Sequence, residues 1–234
     1  ITMTQQRIHI GVLAVQGNFA EHKASFQQAI VKLKTTDFPY KVEISEIRRT
    51  EEIDDALDGL VIPGGETPTM TVALRRNGFF EKLKAWTQRK DKYTWGTCAG
   101  LILLSNKLDG DGKGEVIPGI ELDNLGHMII LYIIGGLDIT CRRNAKGRQF
   151  ESFEESIRLT DHELCALNRS ENFHGIFIRA PGIKSVDDVG TDVLCVLPGN
   201  GEVVGVRKGN LMGCTFHPEL TGDSMWHEYF IKMV

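Results

Sequence analysis

The sequence is short of several things, and each shortage removes a class of function. It has no long apolar run: residues 128–134 form the longest, far below the roughly 20 residues that cross a bilayer. No membrane association is expected. It has no surplus of positive charge. With Lys+Arg 27 against Asp+Glu 31 the net charge is -4, so the basic face that nucleic acid requires is not expected. It has only five cysteines, Cys98, Cys141, Cys165, Cys195 and Cys214. The number is odd and no pair has CxxC spacing, which disfavours a disulfide framework or a zinc site and suits a reducing compartment. There is no charged-then-apolar leader at the start, and a cytoplasmic location is expected. The chain opens on Ile1-Thr2, so targeting information upstream would not be visible. Internal repeats, low-complexity tracts and linkers are lacking too, and residues 1–234 read as a single domain.

What is present is an alternating rhythm. Residues 8–15 predict a strand, Gln16-Gly17-Asn18 a turn, and the spacing of Phe26, Ile30 and Leu33 a helix over 19–34. Strands follow at 41–47, 59–62 and 93–97. Helices are expected at 51–57, at 67–89 with a break at Asn77-Gly78, and at 99–106. This βα alternation predicts a three-layer, flavodoxin-like α/β fold, with a mostly parallel central sheet and helices on both faces. The ligand site of such a sheet lies at the C-terminal ends of its strands. Residues 107–126 read as an exposed excursion, in which Asp109-Gly110-Asp111-Gly112 resembles the start of a calcium loop but lacks the later ligands. The second half predicts strands at 137–141, 153–159, 175–179, 193–197, 202–206 and 211–216, then a closing helix at 226–234.

Three strand ends carry unusual chemistry: Gln16-Gly17, Gly64-Gly65-Glu66 and Gly96-Thr97-Cys98. Gly96-Thr97-Cys98-Ala99-Gly100 has the form G-x-C-x-G, the cysteine version of a strand-to-helix nucleophile elbow. Glycines allow the tight turn, and the helix start beside Cys98 favours thiolate over thiol. A buried structural cysteine is the plainer reading of the pentapeptide alone. A nucleophile needs a base, and "GCTFHPEL" supplies one. Pro218 holds His217 extended, so Glu219, two residues on, falls beside the imidazole and can orient it. Cys98, His217 and Glu219 thus form a triad by roles. Gly64-Gly65 ends the strand next to the elbow, so the N–H groups of Gly65 and Ala99 are the natural oxyanion donors. A plain Pro-Gly-Gly loop and an ordinary strand exit remain the alternatives for each piece in isolation.

These pieces together resemble the class I (triad) glutamine amidotransferases. "GVLAVQGNFAEH", "GLVIPGGE", "WGTCAGLILLS", "RRNAKGRQFESFE", "FIRAP" and "GCTFHPEL" occur in the order of one branch, the SNO-type glutaminase subunits of pyridoxal 5'-phosphate synthase. The resemblance runs over residues 10–220. It implies attack by Cys98 on the side-chain amide of L-glutamine, His217 as proton carrier, glutamate and ammonia as products, and no metal or cofactor. It implies that the partner is a synthase subunit. It also implies that Gly64, Gly65, Glu66, Arg143, Arg179 and Ala180 contact the substrate, and that Gln16 and Asn18 lie on the partner-facing edge. Glu21-His22 is similar to the family as well, though at a helix start the pair also suits the dipole. The sequence departs from the family pattern at Thr67-Pro68-Thr69, at Lys146, where an aromatic is usual, and in the length of 107–126. The alternatives weighed against this reading are another class I glutaminase, a cysteine hydrolase of related fold, a silent subunit that only binds its partner, and a flavin binder.

Overall fold

The structure is a computed structural model that describes residues 6–109, 120–122, 128–130, 133–142 and 152–234. In chain order the strands are β1 (Arg7–Leu13), β2 (Lys41–Ile47), β3 (Gly59–Ile62), β4 (Tyr93–Thr97), β5 (Ser105–Asp109), β6 (Ile120–Leu122), β7 (Met128–Ile130), β8 (Leu137–Arg142), β9 (Ser152–Leu159), β10 (Asn172–Ile178), β11 (Gly182–Val186), β12 (Asp192–Val196), β13 (Val203–Lys208) and β14 (Leu211–Cys214). The helices are α1 (Phe19–Leu33), α2 (Thr67–Arg76), α3 (Phe79–Thr87), α4 (Ala99–Leu104), α5 (His162–Asn168) and α6 (Met225–Met233).

Nine strands form the central sheet in the order β10-β9-β12-β13-β14-β4-β3-β1-β2. From β14 to β2 the pairings are parallel, and from β14 outward to β10 they are antiparallel. The parallel half is the expected βα repeat. Its inner strands β3, β4 and β14 are buried on both faces, which is why β3 reads as an unbroken apolar run. Neighbouring residues split between the faces. Ile10, Val12, Val61, Trp95 and Met212 pack with Phe26 of α1 and Phe230 of α6. Leu13, Leu60 and Ile62 pack with Leu74 of α2, Leu83 of α3 and Leu101 of α4. A small sheet, β11-β8-β5, and the β6-β7 hairpin stand apart from the main one.

Three expectations are corrected. Residues 51–57 do not form a helix, only a 3-10 turn at Thr50–Glu52. Glu52 caps the turn by accepting from the Arg48 and Arg49 amides, and Asp54 takes the Ala56 amide that a longer helix would have used. The helix after Cys98 stops at Leu104, because Ser105 turns extended and opens β5 against β8. The excursion therefore begins with a paired strand, in which Leu108 and Asp109 are buried. Asp109 is held by Arg142 at 2.9 Å and Lys184 at 3.1 Å. Residues 110–119 and 123–127 lie outside the described residues. α5 and β11 are elements with no counterpart in the sequence reading.

Candidate active site

The parallel strands β1, β3, β4 and β14 end together. Their registers run Val12 to Val61, Ile62 to Gly96 and Thr97 to Cys214. The segments that leave these ends, 14–18, 63–66, 98–100 and 215–219, therefore meet at one edge. All the residues singled out for chemistry at strand ends lie on them.

Cys98 sits between β4 and α4 with φ 48 and ψ -105, a region that L residues avoid. Its amide donates to the Cys214 carbonyl at 2.8 Å, which pins the elbow to the neighbouring strand end. The flanking glycines are required by close backbone. A Cβ on Gly96 would lie 2.5 Å from the Gly100 carbonyl, and one on Gly100 would lie 1.9 Å from the Ile62 oxygen. The side chain of Cys98 faces the His217 ring.

His217 directs Nδ1 at Glu219 Oε1, 2.8 Å away. With Nδ1–H donated there, Nε2 is left for the sulfur. Burial alone would lower the imidazole pKa, but the contacts with Cys98 and Glu219 outweigh it and raise it to about 10. Burial likewise pulls the Glu219 carboxyl upward. His22, His217 and Asn18 oppose that and hold it at about 2. The pair is thus an imidazolium and carboxylate, each charge stabilised by the other.

Asn18 lies on the partner-facing turn in the sequence reading, and the structure brings it to the triad. Its side-chain amide donates to Glu219 Oε1 at 3.0 Å, and its backbone amide to the Gly64 carbonyl at 3.0 Å. Gln16 also reaches inward, with Oε1 accepting from the Glu66 amide at 3.2 Å. Gly17 has φ 93, and a Cβ there would lie 1.9 Å from the Gly64 oxygen. The first turn and the glycine loop are in backbone contact.

That loop is ordered by the elbow itself. The Gly64 amide donates to Thr97 Oγ1 at 3.0 Å and so points inward. Gly64 has no room for a side chain, since a Cβ would sit 2.5 Å from His217 Cε1. Ala99 opens α4, so its N–H lies outside the helical ladder. Glu66 and Arg179, both expected to meet substrate, lie together at 3.4 Å beside the site. Arg179 holds φ 47, and Ala180 next to it is buried. Arg143 lies outside the described residues, as does Lys146, and the adjoining Arg142 is engaged by Asp109.

Behind the triad is a buried polar group that the sequence left as a helix start. His22 of α1 places Nε2 3.0 Å from Thr97 Oγ1 and 3.4 Å from Glu219 Oε2, with Nδ1 3.0 Å from Nε2 of His227. Among the described residues no group of His, Cys, Asp and Glu is arranged to hold a metal ion. A cleft of about 270 Å³, lined by Asp54, Asp55, Lys82, Trp86 and Arg89 among others, opens at the opposite end of β3 and β4 and is lined by no cysteine, serine or histidine.

A cysteine on a glycine elbow, a histidine and glutamate on the adjoining strand exit, and a glycine loop beside them lie together on a doubly covered sheet, the arrangement expected of a triad amidotransferase. A solved structure described as a glutamine amidotransferase is 32% identical, with a TM-score of 0.70 and coverage of 96% of this chain and 97% of that one. The glutaminase domain of CTPS from Trypanosoma brucei shares the fold at TM-score 0.55 and 12% identity, over 97% and 93% of the two chains. Residues 12–234 match the SNO glutamine amidotransferase family, and the chain belongs to that family. The pyridoxal 5'-phosphate synthase subunit PdxT of Halalkalibacterium halodurans is 39% identical, over 97% of this chain and 95% of its own. The PdxT subunit of Thermococcus onnurineus is 36% identical, over 96% and 98%.

Proposed function

We propose that this chain, as a single domain over residues 1–234, hydrolyses L-glutamine to glutamate and ammonia and delivers the ammonia to a pyridoxal 5'-phosphate synthase subunit. Family membership and the names of its relatives support the activity and the partner. The observation that carries the chemistry is the alignment of Cys98, His217 and Glu219 at the strand ends.

In this reading the proton of Cys98 already rests on His217 Nε2, and the sulfur attacks the side-chain amide carbon of glutamine. The oxyanion is met by the N–H groups of Gly65 and Ala99. The Gly64 amide is already engaged by Thr97, so that glycine supplies space rather than a donor. The imidazolium protonates the departing nitrogen and ammonia leaves. Water, deprotonated by the now neutral His217, attacks the γ-glutamyl thioester, and glutamate and the Cys98 thiol are released. Glu219 keeps the imidazolium oriented throughout. The thiolate carries the acyl group itself, so the scheme calls for no metal or cofactor.

Arg179 and Arg143 are assigned to the substrate carboxylate and Glu66 to its ammonium, with Ala180 shaping the wall. The exposed pairing of Glu66 with Arg179 supports this, since substrate offers each a better partner. Gln16 is assigned to the partner side. Five free cysteines fit a reducing cytoplasm, and the net charge of -4 fits the absence of nucleic acid from the scheme. Among the described residues no helix is long and apolar enough to cross a membrane.

The test is glutamate release from glutamine with and without the synthase subunit, for wild type and Cys98→Ala. Release that depends on Cys98 supports the reading. A verified complex that releases no glutamate overturns it.

A further inference from the structure

His22 is buried among polar groups that the scheme above does not use. Its Nε2 faces two oxygens, Thr97 Oγ1 at 3.0 Å and Glu219 Oε2 at 3.4 Å. Oε2 is fully buried, makes no hydrogen bond among the described residues, has His22 Nε2 as its ionic neighbour, and belongs to a carboxylate that cannot donate. A bare Nε2 lone pair facing it would be repelled, so the proton belongs on Nε2. Nδ1 is then an acceptor, filled by Nε2–H of His227 at 3.0 Å. That leaves His227 Nδ1 without a proton, and Nδ1 is the ring atom with no partner. An orphaned acceptor costs less than an orphaned N–H. The whole chain of donors thus has one consistent direction. The groups that face His22 electrostatically are Glu219 and His217 from the strand exit, His227 from α6 and Glu21 from its own helix, while the Trp95 ring packs edge-on at 5.3 Å. Burial keeps both imidazoles neutral.

We infer that His22 is a positioning residue for the amidotransferase reaction, whose Nε2–H holds the second oxygen of Glu219 and, through Thr97 Oγ1, the Gly64 amide of the oxyanion loop. The inference rests on the triad reading of Cys98, His217 and Glu219. It adds that carboxylate and loop share one donor. If that donor is removed, Glu219 is free to turn away from His217, the imidazolium loses stabilisation, and the Cys98 thiolate loses its counter-ion.

Two measurements on the full chain test this without glutamine turnover, and a kinetic comparison with the synthase partner adds a third. The first is the pH dependence of iodoacetamide alkylation at Cys98, located by mass spectrometry. His22→Leu is expected to move the midpoint up by about half a pH unit or more. His22→Gln, which keeps a side-chain N–H at similar reach, should restore most of the wild-type profile. Thr97→Val, which cuts only the loop branch, should leave the midpoint in place. With the synthase partner present, His22→Leu should lower kcat about 10-fold or more while KM for glutamine changes less than about threefold. Equal profiles for wild type and His22→Leu overturn the inference, as does a loss in His22→Leu that His22→Gln does not recover. The second measurement serves if the leucine variant does not fold. Nitrogen-15 NMR of wild-type histidines should find the His22 proton on Nε2, and a proton on Nδ1 instead overturns the assignment. A failure of glutamate release in the wild type would leave both readouts intact and would count against the glutaminase reading alone.

Discussion

The side-chain amide of Asn18 donates to Glu219 Oε1 at 3.0 Å, across 201 residues of sequence, while its backbone amide holds the Gly64 carbonyl. One residue therefore ties the acid of the triad to the glycine loop. Asn18→Ala removes a bond to a buried carboxylate, of the kind that contributes about 1.5–3 kcal/mol. We expect kcat for glutamate release to fall about 10-fold or more, with KM little changed. An unaltered kcat would show that Asn18 is not needed to orient Glu219.

Gly64 abuts the base. Gly64→Ala would press a methyl against His217 Cε1, 2.5 Å away, and bring it 3.2 Å from Cys98 Cβ. A misplacement of about an ångström at reacting groups costs on the order of 100-fold, and we expect at least that loss in kcat/KM. Circular dichroism should show an unchanged fold. Activity near wild type would mean that the ring and loop can part without cost.

Gly100 tests the fold rather than the chemistry. A Cβ there meets the Ile62 backbone oxygen at 1.9 Å, and backbone cannot swing aside as a side chain can. Gly100→Ala should destabilise the protein by about 3 kcal/mol in urea unfolding. A much smaller change would show that β3 and α4 separate more readily than their packing implies.

The pH dependence of stability follows from two opposite shifts. The His217 pKa rises from 6.5 to about 10, so its contribution is complete below 6.5 and is lost as pH climbs through about 10. The Glu219 pKa falls from 4.5 to about 2, so its contribution is complete above 4.5 and is lost as pH drops through about 2. The pair therefore stabilises most between 4.5 and 6.5. Unfolding of wild type and His217→Asn across pH should differ most in that window, and the difference should shrink toward pH 10. A difference independent of pH would refute the charge account.

Arg179 and Glu66 meet at 3.4 Å with both side chains substantially exposed. Such a pair contributes about 0–1 kcal/mol, so Arg179→Ala should leave Tm almost unchanged. If the guanidinium receives the substrate carboxylate, KM for glutamine should rise about 10-fold or more, and Arg179→Lys should recover only part of it. A changed Tm with an unchanged KM would reverse the assignment.

Much of the parallel half was legible because its cues are local. Apolar runs closed by turn residues located Lys41–Ile47, Gly59–Ile62 and Tyr93–Thr97 to the residue. The cysteine elbow and His-Pro-Glu could be read because each packs its chemistry into a few positions. What failed depended on distant partners or on competing side-chain bonds. Ile53 and Leu57 have helical spacing, yet Asp54 captures the Ala56 amide that a helix over 51–57 would need. Ser105–Asp109 becomes a strand only because β8 stands beside it. α5 did carry a signal, since Asp161 caps it by accepting from the Leu164 amide at 3.0 Å. The placement of His22 carried none: the contact with His227 spans 205 residues, and no spacing rule reaches that far.

The φ of 48 at Cys98 has an evolutionary side. A side chain held in so sparsely populated a conformation costs about 1–3 kcal/mol, which a glycine at the same position would recover. The fold would thus gain from losing the residue proposed as its nucleophile. Random drift pulls this position toward a more stable and inert protein, and only continued demand for a reactive thiol opposes it.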